Sequence, residues 1–244
     1  MSTGVLAVTS IPVGDHITRH FLGLTINLDD VIATIVAGAI VIGLGLLVRA
    51  RLTTGVPGRL QLAFEAVVHG VSNQVESSMG EAGRPIVPLA LTLFLFILVA
   101  NWLELIPTGH DPQYLPAPTG DINFVAAMAV FVIVLVHATW IRRQGLRRYL
   151  HHYTQPFKAL LPINVIEELV KPVTLALRLF GNIFAGGLML VLIADLLPVK
   201  LIVPIPALDL VWKLFDGFFV GPVQAFIFSL LTILYFQSAL TGGH

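Results

Sequence analysis

Residues 163–197 read INVIEELVKPVTLALRLFGNIFAGGLMLVLIADLL. This stretch of about 35 residues is apolar through most of its length and carries Pro172 near its start. As a single helix it would be roughly 52 Å long at 1.5 Å per residue, against about 30 Å for the hydrocarbon core of a bilayer. It must tilt steeply, break or protrude. Residues 205–240 repeat the pattern with Pro222 inside, and Pro198, Pro204 and Pro206 crowd the connection between the two. The expectation is a long, steeply tilted helical hairpin, and a proline can kink either arm.

The rest of the chain agrees. Its 244 residues are 56% hydrophobic and 11% charged, where a soluble domain carries about 25% charged residues. The mean hydropathy is +0.89. A soluble fold of this size has no interior large enough for so much apolar surface. The reading is an all-α integral membrane protein forming a single membrane domain over residues 1–244. Three further apolar runs, 30–49, 86–106 and 122–141, are long enough to span. With the two arms of the hairpin they make about five crossings. Residues 57–80 differ: Leu60, Phe64, Val67, Val68 and Val71 recur at helical spacing among Arg59, Glu65, Gln74 and Glu76. That pattern predicts an amphipathic helix on the membrane surface, with a short soluble-like connector as the alternative.

Basic residues set the orientation. Arg49, Arg51 and Arg59 follow the first span, and Arg142, Arg143, Arg147 and Arg148 follow the third. Both clusters are expected on the cytoplasmic side. The loop 108–121 has no Lys or Arg and faces out, with Lys200 as a mild exception. Residues 1–28 are then an outer N-terminal segment, and His244 is cytoplasmic. Met1–His20 lacks a basic leader and contains Pro12, Asp15 and His16, so a cleaved signal peptide is not expected.

Charge and cysteine content remove several classes of function. Fourteen basic residues balance fourteen acidic ones, which argues against a nucleic-acid partner. There is no Cys, hence no disulfide, thiolate metal site or thiol nucleophile. His151 and His152 lack further ligands at metal-binding spacing. Phosphate-binding loops, dinucleotide fingerprints and hydrolase elbows are missing, so no cofactor, metal or catalytic residue is expected.

The informative residues are polar groups inside apolar runs. Arg178 lies well inside the first long helix, at a cost of about 2.5–3.5 kcal/mol on insertion scales. Asn182 follows at i+4 on the same face, and Gly181, Ala185 and Gly186 would let another helix approach closely. No carboxylate lies within one turn of Arg178, so any partner comes from another helix or another chain. Gln224 sits in the middle of the second long helix and also wants a partner. Asp209, Lys213 and Asp216 form a charged stripe, either internally salt-bridged or a polar track for protons and water from outside. Glu104, with Asn101, closes the second span, either snorkelling to the interface or lining an outer vestibule. His137, one turn before Arg142, reads as interfacial. Few crossings, one buried cation and no half-to-half repeat suit a partial ion pathway completed by another protein better than a self-contained transporter. A purely structural anchor leaves the cost of Arg178, Asn182 and Gln224 unexplained.

Leu177-Arg178-Leu179-Phe180-Gly181-Asn182, preceded by Lys171-Pro172, resembles subunit a of the F-type rotary ATP synthases. Gln224-Ala225-Phe226-Ile227-Phe228, followed by Leu230 to Tyr235, is similar to that family's last helix, and Asn101 to Pro107 to the end of its second span. The likeness covers most of the chain from about residue 60 onward. It implies a non-catalytic stator subunit of the bacterial plasma membrane, with the two long helices against a ring of c subunits. Peripheral-stalk b-type subunits, other ATP synthase subunits and the lipid bilayer are the further implied partners. It implies two offset proton half-channels, with Arg178 facing the ring carboxylate, Asn182 and Gln224 beside the path, and Glu104 as an outer-side acid. Two positions depart from the pattern. Gly187 and Gly217 stand where members often carry Glu or His, and Asp216, the neighbour of Gly217, is the candidate replacement. Asp195, Asp209 and Lys213 have no counterpart role in the motif. Trp212 to Asp216 looks like the actinobacterial members.

Overall fold

A computed structural model describes residues 18–21, 24–53, 55–105, 117–152, 157, 160–196 and 205–241. Residues 1–17 of the outer segment, most of the loop 108–121 and the connection 198–204 lie outside the described residues, as do the side chains of Asp195 and Asp209. The fold is helical apart from one short antiparallel ribbon, β1 (Thr18–Phe21) and β2 (Leu24–Asn27), in which Thr18 pairs with Asn27. The helices are α1 (Leu28–Arg51), α2 (Arg59–Met79), α3 (Val87–Leu103), α4 (Ile122–Gln144), α5 (Leu146–His152), α6 (Leu161–Leu196), α7 (Ile205–Phe215) and α8 (Gly221–Thr241). Among the described residues, five helical stretches are long and apolar enough to cross a membrane, with α2 and α3 counted as one and α7 and α8 as another. Even α6, 36 residues long, runs unbroken through Pro172.

The second arm of the hairpin does not continue as one α-helix. Asp216–Val220 is a π-helical turn between α7 and α8. Pro222 gives the physical reason. Its ring has no N–H and would crowd the carbonyl four residues back, that of Phe218. The π-turn widens the ladder there, and the Gly221 N–H reaches back to the carbonyl of Asp216.

Interiors are built from small residues and aliphatic side chains. Ala90 of α3 is fully buried, and its carbonyl accepts the Ser229 hydroxyl of α8 at 3.0 Å. Leu93 and Ile97 of α3, Val125, Ala129 and Val132 of α4, and Ala225 and Phe228 of α8 meet Leu175, Ala176 and Leu179 of α6 in one cluster. Ala33 and Ala37 of α1 pack with Ala100 and Leu103 of α3, the close approach that small residues permit between membrane helices. Elsewhere α1 leaves its apolar surface open, with Ile35 and Ile42 both 65% exposed.

The amphipathic helix turns part of its stripe into the protein. Val71, Val75 and Met79 are buried in a cluster with Ile86, Trp140, Ile233 and Phe236. Leu60, Phe64, Val67 and Val68, nearer its start, are half-buried. Gly80 ends this helix at a φ of 58°, and its N–H bonds the carbonyl of Glu76. Glycine takes that left-handed conformation without the steric cost a side chain would add.

One polar knot ties the ribbon, α1 and α4 together. Asn27 donates from its amide to Asp30 at 3.1 Å and to Asp121 at 2.8 Å. Asp121 also caps α4 by accepting the Asn123 backbone N–H at 2.6 Å. Burial would raise the Asp121 carboxyl, but hydrogen bonding with Asp30, with the backbone N–H of Asn123 and with Asn27 outweighs it and holds it below the usual carboxylate range. A lowered value means the charged form stabilises the fold above the ordinary carboxylate range, and that contribution is lost as pH falls through it. Asp121→Ala should therefore lower thermal stability in detergent by about 1 kcal/mol at neutral pH, with the difference from the parent narrowing in acid. An unchanged melting temperature at pH 7 would remove the cap from the account.

Candidate functional site

The backbone of the π-turn and of the first residue of α8 is met by the end of α3. Trp102 donates its indole N–H to the Gly217 carbonyl at 2.9 Å, and Asn101 donates its amide to the Gly221 carbonyl at 3.3 Å. The Asn101 carbonyl oxygen in turn accepts the hydroxyl of the fully buried Thr119 at 2.7 Å. Buried carbonyls need such donors, because an unmade hydrogen bond costs about 1–3 kcal/mol. A second indole, that of Trp212 in α7, donates to the Gly186 carbonyl of α6 at 3.2 Å.

These ties enclose a narrow cleft lined by Asn101, Glu104, Leu105, Gly186, Trp212, Lys213, Asp216 and Gly217. It brings together Glu104 and Asn101 from the end of α3 with Lys213 and Asp216 from the second arm of the hairpin. Asp216 and Lys213 are close enough for their charges to act on Glu104. Lys213 and Asp216 line the cleft without forming an ion pair with each other among the described residues. Two carboxylates and an ammonium around a space for single waters are groups that can accept and pass protons.

Packing accounts for one of the two departures from the family pattern, Gly217, whereas the space beside Gly187 is open. A Cβ on Gly217 would lie 2.5 Å from Leu105 Cδ2, so Leu105 occupies the space a side chain would need. The carboxylate that is present, Asp216, lies over Gly186, where a Cβ would meet both of its oxygens at 3.4 Å. Asp216 thus sits against α6 one residue from Gly187.

Arg178 lies elsewhere on α6 and has a different environment. Leu175, Ala176 and Leu179 are buried, whereas Leu177, Arg178 and Phe184 are exposed. Among the described residues the guanidinium has no ion pair or hydrogen bond. The amide nitrogens of Asn182 and Gln224 are buried with no hydrogen-bond partner among the described residues. Because Leu175 and Leu179 pack with Ala225 and Phe228, the segments carrying Arg178 and Gln224 run side by side. Exposed Val223 and Phe226 continue the apolar surface on the α8 side.

A second polar group sits nearer the start of α6. Glu168 bonds Lys171 Nζ at 2.7 Å through Oε2 and lies 3.4 Å from His137 Nε2 of α4 through Oε1. The other ring nitrogen of His137 is 3.4 Å from the Tyr149 hydroxyl. Glu168 carried no signal in the sequence, because a carboxylate near the start of a helix is ordinary. The indole contacts of Trp102 and Trp212 were equally hidden, since their acceptors are set by the π-turn and by the crossing of α6 and α7.

Comparison with known proteins gives a consistent answer. Residues 31–237 match the family model described as ATP synthase A chain. The chain is 51% identical over 242 residues to the ATP synthase subunit a of Acidothermus cellulolyticus, covering 98% of this chain and 87% of that one. It is 46% identical to the subunit a of Mycobacterium tuberculosis, over 98% and 97% of the two chains. With that of Bacillus subtilis it shares 35% identity, over 93% and 98%.

The contact between Gly217 and Leu105 makes a specific demand. Gly217→Val should overpack the junction of α3 and the π-turn and destabilise the protein by about 1–3 kcal/mol. Adding Leu105→Ala should restore most of that loss in a thermal unfolding assay. Equal stability of Gly217→Val and the parent would mean that Leu105 does not fill the site.

Proposed function

The chain belongs to the ATP synthase A chain family, and from that premise we propose that it is the stator subunit that passes protons to and from a rotating ring of carboxylate-bearing c subunits. The reading is carried by Arg178, a fixed cation exposed on an apolar face of α6 with no partner among the described residues. Its counter-charge then comes from another chain. The buried, unpartnered amides of Asn182 and Gln224 flank the same surface and are suited to groups that pass by rather than stay. The cleft of Glu104, Asn101, Asp216 and Lys213 is the outer half-channel, and the second half-channel opens on the cytoplasmic side.

In this orientation the Arg49–Arg59 and Arg142–Arg148 clusters face the cytoplasm, with the N-terminus outside and the C-terminus inside the bacterial plasma membrane. Peripheral-stalk b-type subunits hold the chain against the torque of the ring. ATP chemistry takes place on other subunits.

The energetics balance. A ring carboxylate in lipid is disfavoured as an anion, and its pKa rises by up to 3–5 units. Facing Arg178 at about 4 Å in an effective dielectric near 20, it gains about 4 kcal/mol, or roughly three units in the other direction. The carboxylate therefore releases its proton on reaching Arg178 and takes one up on leaving. The same fixed charge repels protons and prevents a direct leak from one half-channel to the other. Each proton crossing the field releases about 2.3 kcal/mol per 100 mV, which is available to turn the ring. An anion-binding role for Arg178 in a self-contained transporter would call for broken helices at the binding site, whereas α6 is continuous past Arg178.

Arg178→Gln should abolish ATP-driven acidification of inverted vesicles while the complex still assembles, because removing the charge lowers the cost of insertion. Arg178→Lys should also be severely impaired. A buried lysine sheds its proton readily, whereas the guanidinium keeps its charge. Pumping near the parental rate in an assembled Arg178→Gln complex would refute the proposal.

A further inference from the structure

Four titratable side chains from three helices converge about two turns before Arg178. Glu168 and Lys171 come from α6, His137 from α4 and Tyr149 from α5. The Lys171 ammonium also lies 5.9 Å from the ring centre of Tyr235 in α8. The charged members are mostly withdrawn from the surface, with side-chain exposures of 21% for His137, 17% for Glu168 and 25% for Lys171. α4 and α6 already share an apolar cluster. Holding α4 to α6 therefore does not require four ionisable groups.

Position points to a use. Lys171 precedes Arg178 by seven residues, nearly the same helix face and about 10 Å along the axis. His137 lies one turn before Arg142, at the end of α4 that carries the basic cluster. The group thus stands between Arg178 and the side assigned above to the cytoplasm.

We propose that Glu168 and His137 form the proton-exchange site of the inner half-channel, an inference that rests on the stator reading and its orientation. During ATP synthesis, a proton arriving from the ring protonates the Glu168 carboxylate. Glu168 passes it from Oε1 to His137 Nε2, and the resulting imidazolium releases that proton to the inner water, so both groups return to their starting states. During ATP-driven pumping the steps reverse. Lys171 Nζ, bonded to the other carboxylate oxygen at 2.7 Å, fixes the orientation of Glu168, and the Tyr149 hydroxyl lies against Nδ1 of the imidazole. A histidine suits this work because a neutral imidazole accepts a proton on one ring nitrogen while a hydrogen bond holds the other. The titratable and charged groups facing His137 among the described residues are Glu168 and Lys171 of α6 and Tyr149 of α5, with Tyr235 of α8 beside Lys171.

The test uses the complete ATP synthase in inverted vesicles, where the inner face meets the medium. Acidification rates, normalised to assembled complex, are measured across medium pH for Glu168→Gln, Glu168→Asp, His137→Gln and, as reference, Arg178→Gln. Glu168→Gln should slow pumping at least fivefold, and Glu168→Asp should recover much of it. His137→Gln should move the dependence on medium pH while leaving assembly intact. If both Gln variants pump at the parental rate with an unmoved pH profile while Arg178→Gln is inactive, the cluster is only a brace and the inference falls alone. If Arg178→Gln itself pumps normally, the stator reading falls and takes the inference with it.

Discussion

A guanidinium keeps its proton under any condition a cell provides, so a membrane helix that carries one must give it a counter-charge or water. Arg178 has no ion pair and no hydrogen bond among the described residues. It stands on the exposed side of α6 while Leu175 and Leu179 hold the other side in the core. The rest of the architecture follows from presenting that one charge at a fixed height. α3, α4 and α8 form the backing against which α6 is packed, and Ala90, Ala129 and Ala225 allow the helices to come close enough to keep it in place.

The polar chemistry sits on either side of this charge and is supported differently at each end. On one side lies the π-turn of the second arm, and Trp102 and Asn101 of α3 bond the carbonyls of Gly217 and Gly221. That anchors Asp216 and Lys213 in the same cleft as Glu104. On the other side Glu168, Lys171 and His137 meet directly. In the proposed function, two separated proton-active groups with a permanent cation between them form an offset path, since the cation opposes a proton that would cross without the ring.

Much of this was legible in the sequence because a charge or amide in an apolar run is conspicuous. Arg178, Asn182, Gln224, Asp216 and Glu104 all stand out for that reason, and the lengths of the hairpin arms follow from counting. The π-turn was not legible. It displaces the helical period by one residue over a few positions, and Pro222 hinted only at a kink. The partner of α2 was hidden as well, because an amphipathic stripe fits a lipid surface and a protein groove equally, and Val75 and Met79 reveal the groove only in the packed fold. Glu168 and His137 are 31 residues apart in number (168 − 137) and belong to different helices, so nothing local joins them. The glycines at 187 and 217 looked like missing acids. In the fold, Leu105 fills the space beside Gly217, and Asp216 lies over Gly186 next to the other.

The orientation of Arg178 toward the ring can be measured directly, because the chain has no cysteine of its own. In the intact complex, a cysteine at Leu177, 54% exposed beside Arg178, would be combined with a cysteine next to the ring carboxylate and oxidised. A second complex would carry the cysteine at the fully buried Leu179. A disulfide from Leu177 and none from Leu179 is the expected result. Cross-linking from Leu179 with none from Leu177 would turn Arg178 away from the ring and contradict its role as the fixed charge of the proton path.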